Sequence, residues 1–230
     1  MRDGNQAKLR ELAERIDQAD AVVIGGGSGL SSAAGYDHYH WSPALSEALA
    51  PFHEQYGFTS PLAGFYHCFS SYGEQWGYYS QYIRFMWEAP TGQPYLDLQA
   101  LVADKSVFVL TTNVDHCFQK AGFDKSRLFY TQGDYGLWQC SKPCHQKTYH
   151  NETVVRKMLD KQENRKIPGK LVPYCPVCGA PMAMNLRTDM TFVEDEGWHN
   201  AARRYEDFLK RHQGLRVLFW ELGVGGNTTV

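Results

Sequence analysis

Long apolar runs are missing from this 230-residue chain: no stretch approaches the roughly 20 apolar residues of a membrane-spanning helix. No basic segment followed by an apolar core opens it, so a secretory leader is not indicated. The expectation is a cytoplasmic protein with no membrane partner. Positive charge is also scarce. Twenty-three Lys and Arg face 25 Asp and Glu, for a formal charge of −2. Between Arg15 and Lys105 the only Lys or Arg is Arg84. Affinity for nucleic acid rests mainly on neutralised phosphates, so a nucleic-acid partner is not expected. Residues 142–170 are the exception, with Lys142, Lys147, Arg156, Lys157, Lys161, Arg165, Lys166 and Lys170. Cysteine is sparse too, at six residues. In a reducing compartment, close pairs among them favour a metal over disulfides.

What is present reads as an α/β chain. Residues 4–19 carry Leu9, Leu12, Ala13 and Ile16 at helical spacing. Ala21-Val22-Val23-Ile24 follows and stops at Gly25-Gly26-Gly27-Ser28-Gly29, the pattern of a buried parallel strand feeding a tight turn. Leu30 to Ala34 would open the next helix. Further buried-strand candidates are Ser106–Thr111, ending at Asn113 and Asp115; Leu128–Thr131, ending at Gln132-Gly133-Asp134; and Leu215–Trp220, ending at Gly223-Val224-Gly225. Trp198, Ala201, Ala202, Tyr205, Phe208 and Leu209 share one face of a helix over 198–213 that Gly214 stops. Residues 36–104 are crowded with aromatics and poor in strand runs. They are expected to form an inserted helical cap whose rings pack a core. In a Rossmann-like, doubly wound parallel sheet, ligands sit outside the carboxyl ends of the strands, so the four polar clusters should converge on one crevice. One domain over 1–230 is the expected organisation.

Cys140-Ser-Lys-Pro-Cys144 and Cys175-Pro-Val-Cys178 are two close pairs 30 residues apart. Two such knuckles supply a tetrahedral four-sulfur shell for structural zinc, within a small module over 135–190. Reduced core cysteines or a redox pair are the alternatives, and His145 or His150 lies close enough to replace one ligand. Cys68 and Cys117 stand alone and read as packing residues.

The glycine turn lacks the third glycine of the hydride-transfer fingerprint, which argues against an ordinary dehydrogenase. Gly27-Ser28-Gly29-Leu30-Ser31 through Gly35 instead resembles the sirtuin phosphate loop. Thr111-Thr112-Asn113-Val114-Asp115 resembles the sirtuin Thr-Gln-Asn-Ile-Asp segment, and Gly223-Val224-Gly225 falls where sirtuins carry a Gly-Thr-Ser loop. Order and spacing agree over about residues 20–228. The departures are specific. His38-Tyr39-His40 stands where sirtuins carry Asp-Phe-Arg, and Gln132-Gly133 where deacylating sirtuins carry His-Gly. An amide has no accessible pKa and cannot take a proton from a ribose hydroxyl. Gln132-Gly133-Asp134, the 223–228 loop and Phe192-Val193-Glu194-Asp195 with Trp198 resemble the macrodomain-linked (class M) sirtuins of microbes.

That resemblance implies NAD as a substrate, consumed in protein mono-ADP-ribosylation. It implies a lipoylated carrier of the glycine cleavage H type as acceptor and a macrodomain protein as functional partner. It places Gly25, Gly27, Ser28, Gly29, Ser31, Gly35, Tyr39, Asn113, Asp115, Gln132, Gly223, Val224, Gly225 and Asn227 around NAD. Asn113, Gln132 and Asp134 become the catalytic candidates. Asn113 would orient the ribose or a water, Asp115 the nicotinamide carboxamide, and Gln132 the ribose hydroxyls. Asp134 would stabilise the developing ribose cation or activate the acceptor. Deacylation, NAD glycohydrolysis and a non-catalytic NAD-binding role are the rival readings. Sirtuins continue past the point matching Val230 to complete the adenine pocket, so either a truncated chain or a naturally short member is expected.

Overall fold

The computed structural model describes residues 2–225. Its elements are α1 (Arg2–Gln18), β1 (Ala21–Gly26), α2 (Ser28–Ala33), α3 (Pro43–Tyr56), α4 (Tyr72–Glu88), α5 (Gln93–Leu101), β2 (Ser106–Thr111) and α6 (Cys117–Lys120). They continue as β3 (Leu128–Tyr130), β4 (Gly133–Cys140), β5 (Tyr149–His150), α7 (Glu152–Asp160), β6 (Met182–Leu186), α8 (Glu196–Arg211) and β7 (Val217–Leu222).

The four apolar runs form one parallel sheet in the order β3-β2-β1-β7. β1 lies in its interior, with Ala21 opposite both Ser106 and Val217. Its residues are apolar without alternation because both faces are covered. On one face Val22, Ile24, Val107 and Val109 meet Leu30, Tyr95, Leu98 and Phe118. On the other, Val23, Phe108 and Phe129 meet Ala201 and Phe208 of α8. Asp195 caps that helix by accepting the Trp198 N–H at 2.8 Å. β7 begins two residues later than its apolar run suggests. Leu215 is half exposed, and the Arg216 N–H is taken by the Asp20 carboxylate at 2.8 Å instead of a ladder partner.

The second body is a three-stranded antiparallel sheet, β5-β4-β6. It shares a core with α3 and α4: Leu45, Leu49, Phe52, Trp76, Tyr82 and Ile83 pack with Trp138, Val155, Met158 and Met182. The aromatic segment is helical, and its rings pack a core that it shares with the antiparallel sheet. Within 36–104, α5 turns back and contributes Tyr95 and Leu98 to the sheet layer.

The turn after β1 is pressed against the loop after β7. Gly27 donates its N–H to the Leu222 carbonyl and Gly29 to the Gly223 carbonyl, both at 2.9 Å. A Cβ on Gly27 would stand 2.5 Å from the Gly223 oxygen and 2.7 Å from Val224 Cα. Both obstacles are backbone, so neither swings aside. Gly27→Ala should destabilise the fold by about 1–3 kcal/mol, read from the urea midpoint. Gly225→Ala, where an added Cβ meets nothing within 4 Å, should stay within about 0.5 kcal/mol of wild type. Equal midpoints for the two variants would show that the loop is not packed this way.

Candidate functional site

The carboxyl ends of β1, β2 and β7 bring Gly27, Gly29, Ser31, Asn113, Asp115 and Gly223 together. Asn113 links two of these loops. Its Nδ2 donates to the Gly27 carbonyl at 2.8 Å and reaches the Tyr95 hydroxyl at 3.2 Å, while its N–H donates to Thr111 Oγ1 at 3.0 Å. Asp115 is 3% exposed. One of its oxygens accepts from the Ser31 hydroxyl at 2.5 Å and the Tyr95 hydroxyl at 3.4 Å, and the other accepts the Cys117 N–H at 3.0 Å. Burial and the Asp115 carboxylate hold the Cys117 thiol and the Tyr95 hydroxyl above their ordinary values, so both stay protonated. Cys117 is thus an inert packing residue, as its isolation in the sequence suggests.

His38 also belongs to this side. Its Nδ1 pairs with the Tyr82 hydroxyl, and burial holds the imidazole below its usual pKa although Asp115 and Asp37 pull the other way. Tyr39, beside it, is half exposed on the loop that the Asp37 carboxylate closes through the Tyr39 and His40 N–H groups. Gly35 ends α2 at φ +94, where its lack of a side chain is required. Val224 is partly exposed and Gly225 open, and Asn227 lies outside the described residues.

Gln132 and Asp134 lie at the junction of the two sheets. Gln132 is half-buried, its carbonyl accepts the Arg187 N–H at 2.9 Å, and its side chain makes no hydrogen bond among the described residues. Gly133 adopts φ +98, and a Cβ there would fall 1.9 Å from the Asn185 carbonyl oxygen. Pairing with β6 then slips between Asp134 and Trp138. Such an irregularity re-aims side chains. Here it turns Asp134 toward His116, whose Nε2 it pairs with, and toward the Gly136 N–H at 2.6 Å.

Burial disfavours charge on both partners, yet the pair wins. The His116 hydrogen bond and charge hold the Asp134 carboxyl below the usual range, and Asp134 holds the imidazole above the usual histidine value. Both line a cleft of about 720 Å³ between β3, α8 and the antiparallel sheet. Ser31, Asn113 and Asp115 do not reach it. The predicted residues therefore divide into two groups that meet at the Asp115–His116 peptide.

Sequence reasoning missed His116, Tyr95 and Arg187, and marked His38 only as a departure from the sirtuin pattern. Arg187 donates to the Thr131 carbonyl at 3.4 Å, pairs with Glu194 at 2.5 Å and stacks 4.3 Å from the Phe192 ring centre. The motif Phe192-Val193-Glu194 is thus partly a clamp on the end of β3. His116 carried one signal, its place directly after Asp115.

The four paired cysteines converge. Their sulfur atoms all lie within 4.8 Å of one another, with Cys140–Cys178 at 3.5 Å and Cys144–Cys175 at 3.7 Å. A tetrahedral ion with sulfurs at about 2.3 Å requires separations near ~3.8 Å, so the donor set fits one. The Lys142 and Val177 N–H groups point at Cys140 and Cys175, as knuckle turns do. His145 Nδ1 sits 3.0 Å from Cys144 Sγ and its Nε2 bonds the Tyr149 hydroxyl, a position beside the shell.

No family model matches the chain. It is 38% identical over 228 residues to a protein ADP-ribosyltransferase of Staphylococcus aureus, an alignment spanning 98% of this chain and 72% of that protein. It is 29% identical to a probable bifunctional ADP-ribose hydrolase/ADP-ribosyltransferase of Fusarium oxysporum, covering 97% of this chain but 38% of that longer protein. Among solved structures, a Sir2 homologue in complex with NAD superposes over 96% of this chain and 74% of its own, with a TM-score of 0.58 at 14% identity. No described helix is long and apolar enough to cross a membrane. The chain belongs to the family of the staphylococcal protein ADP-ribosyltransferase and is built on the Sir2 (sirtuin) fold.

Proposed function

We propose that this chain transfers ADP-ribose from NAD to a protein, releasing nicotinamide. The observation that carries the reading is the end of β3, where the half-buried amide of Gln132 stands in place of a base and the carboxylate of Asp134 follows two residues on. The donor set at the glycine turn fits NAD. With Lys and Arg almost absent from residues 16–104, phosphates there would be met by backbone amides; the Gly27 and Gly29 amides are taken by the loop after β7, which leaves that of Ser28 for the ligand. Ser31, Asn113 and Asp115 supply uncharged donors and one carboxylate for the ribose and the ring amide.

In the reaction, the bond between ribose C1′ and the nicotinamide nitrogen breaks, and the electron pair leaves with nicotinamide. Positive charge develops on the ribose, as in glycoside cleavage. A lone pair of the acceptor forms the new C1′ bond, and any proton the acceptor carries passes to water. Gln132 holds the ribose hydroxyls without taking a proton. The acceptor enters by the cleft that Asp134 lines, on the far side of the Asp115–His116 peptide from the glycine turn.

The acceptor we assign is a lipoylated carrier of the glycine cleavage H type. A macrodomain protein is the functional partner, a role supported by the relative whose name joins an ADP-ribose hydrolase to the transferase. The basic segment offers the carrier a surface, since Lys142, Lys147, Lys157, Lys161 and Lys170 are all exposed. We also assign zinc to the cysteine tetrad. With four sulfur ligands it has no open position and stabilises the fold without activating water.

Incubation with labelled NAD should place label on the lipoylated carrier, and Asn113→Ala should lower the rate by about 100-fold. Label absent from every carrier tested, with an acyl-lysine peptide deacylated instead, would sink the assignment. Reversing Lys157, Lys161 and Lys170 to Glu should slow carrier association at low salt, and added salt should erase the difference. Metal analysis should find one zinc per chain. Stripping it should lower Tm by roughly 5 °C or more, given about 2–4 °C per kcal/mol at this size.

A further inference from the structure

His116 has no part in the reaction as described so far, yet the fold holds it in a conformation that few side chains adopt. Its φ is +60, between Asp115 and the first residue of α6. From there Nε2 meets the Asp134 carboxylate, and no other described side chain hydrogen-bonds the ring. The groups that face it are few. Lys120 of α6 is held away, its ammonium donating to the Met86 and Ala89 carbonyls. Asp115 precedes it, with both carboxylate oxygens already accepting hydrogen bonds. Tyr130 of β3 lies 6.4 Å away ring to ring, and its buried hydroxyl has no hydrogen-bond partner among the described residues. Lys125 lies across the cleft and acts on Asp134.

We propose that His116 is a positioning residue for this reaction: through Nε2 it fixes the Asp134 carboxylate, and by gaining or losing a proton it sets how much negative charge that carboxylate offers the ribose. The proposal rests on the reading that the chain breaks the nicotinamide–ribose bond. A carboxylate stabilises a neighbouring cation in proportion to its uncancelled charge. Imidazolium at hydrogen-bond distance cancels much of that field. Neutral imidazole protonated at Nε2 keeps the same hydrogen bond and the same orientation while leaving the full charge. The carboxyl of Asp134 is held low, so it stays ionised throughout, and the proton that matters belongs to His116. The rate of NAD cleavage should therefore rise with pH through a midpoint above the ordinary histidine value of about 6.5.

Two measurements on the full chain decide it. The first does not depend on activity: the His116 ring signal, assigned by its loss in His116→Gln, is titrated by NMR. Its midpoint should lie above about 6.5 in wild type and fall in Asp134→Asn. An unchanged midpoint in Asp134→Asn overturns the pairing. The second is the pH profile of nicotinamide release at saturating NAD with the lipoylated carrier present as acceptor. Wild type should rise between about pH 6 and 9, and His116→Gln, which donates but does not titrate there, should be flat. His116→Ala, with no donor, should lose about tenfold in kcat more than His116→Gln does. A His116→Gln profile that rises with the wild-type midpoint overturns the proposal. So does a His116→Ala enzyme as active as His116→Gln. Should wild type release no nicotinamide at any pH, the transferase reading fails, while the titration still decides the pair.

Discussion

The buried side chain of Asp115 is the point on which the site depends. A carboxyl group taken out of water is costly unless its lone pairs are met, and here the Ser31 and Tyr95 hydroxyls and the Cys117 N–H meet them. Each bond ties a different piece of chain. Ser31 belongs to the helix after β1, Tyr95 to the helix returning from the aromatic segment, and Cys117 to the helix after β2. Removing the carboxylate would leave the Cys117 N–H and one of the Ser31 and Tyr95 hydroxyls, which lie 3.3 Å apart, without an acceptor, and such losses cost more than the bonds contribute when intact. Asn113 reinforces the link through the Gly27 carbonyl and Tyr95. The strand ends are thus fixed relative to one another by buried side chains, the same ones to which the proposed reading assigns the NAD ribose and ring amide.

Much of this was legible in the sequence, for identifiable reasons. A strand buried on both faces must be apolar throughout, and a turn pressed against another loop must be small. Ala21–Ile24 and the glycines after it carry both marks. Cysteine pairs at knuckle spacing have few other uses, and they converge as their spacing predicts. The His116–Asp134 pair was not legible. Eighteen residues separate the partners, and they meet because Gly133 adopts positive φ and the β4–β6 register slips. Nothing in the order of residues announces that slip. Nor does composition show that the cap and the zinc-binding module share a core, because aromatic crowding says that a segment packs without saying against what.

β4 joins these two levels of organisation. Asp134 stands near its start and Cys140 at its end, about 20 Å along an extended strand. Cys140 is completely buried and its sulfur lies against Cys178. A metal held by the four sulfurs would anchor the far end of the strand whose near end presents the carboxylate. The remaining freedom of Asp134 is removed by the Gly136 amide and by His116, which lie on opposite sides of the junction between the two sheets. Such a metal and the imidazole would constrain one strand from its two ends without touching the scissile bond. On the proposed reading, an enzyme with Gln132 at the end of β3 needs a charged group held within a fraction of an ångström of its productive position. In this chain that precision is assembled from a bulge, a knuckle and a strained histidine, each drawn from a different segment of the sequence.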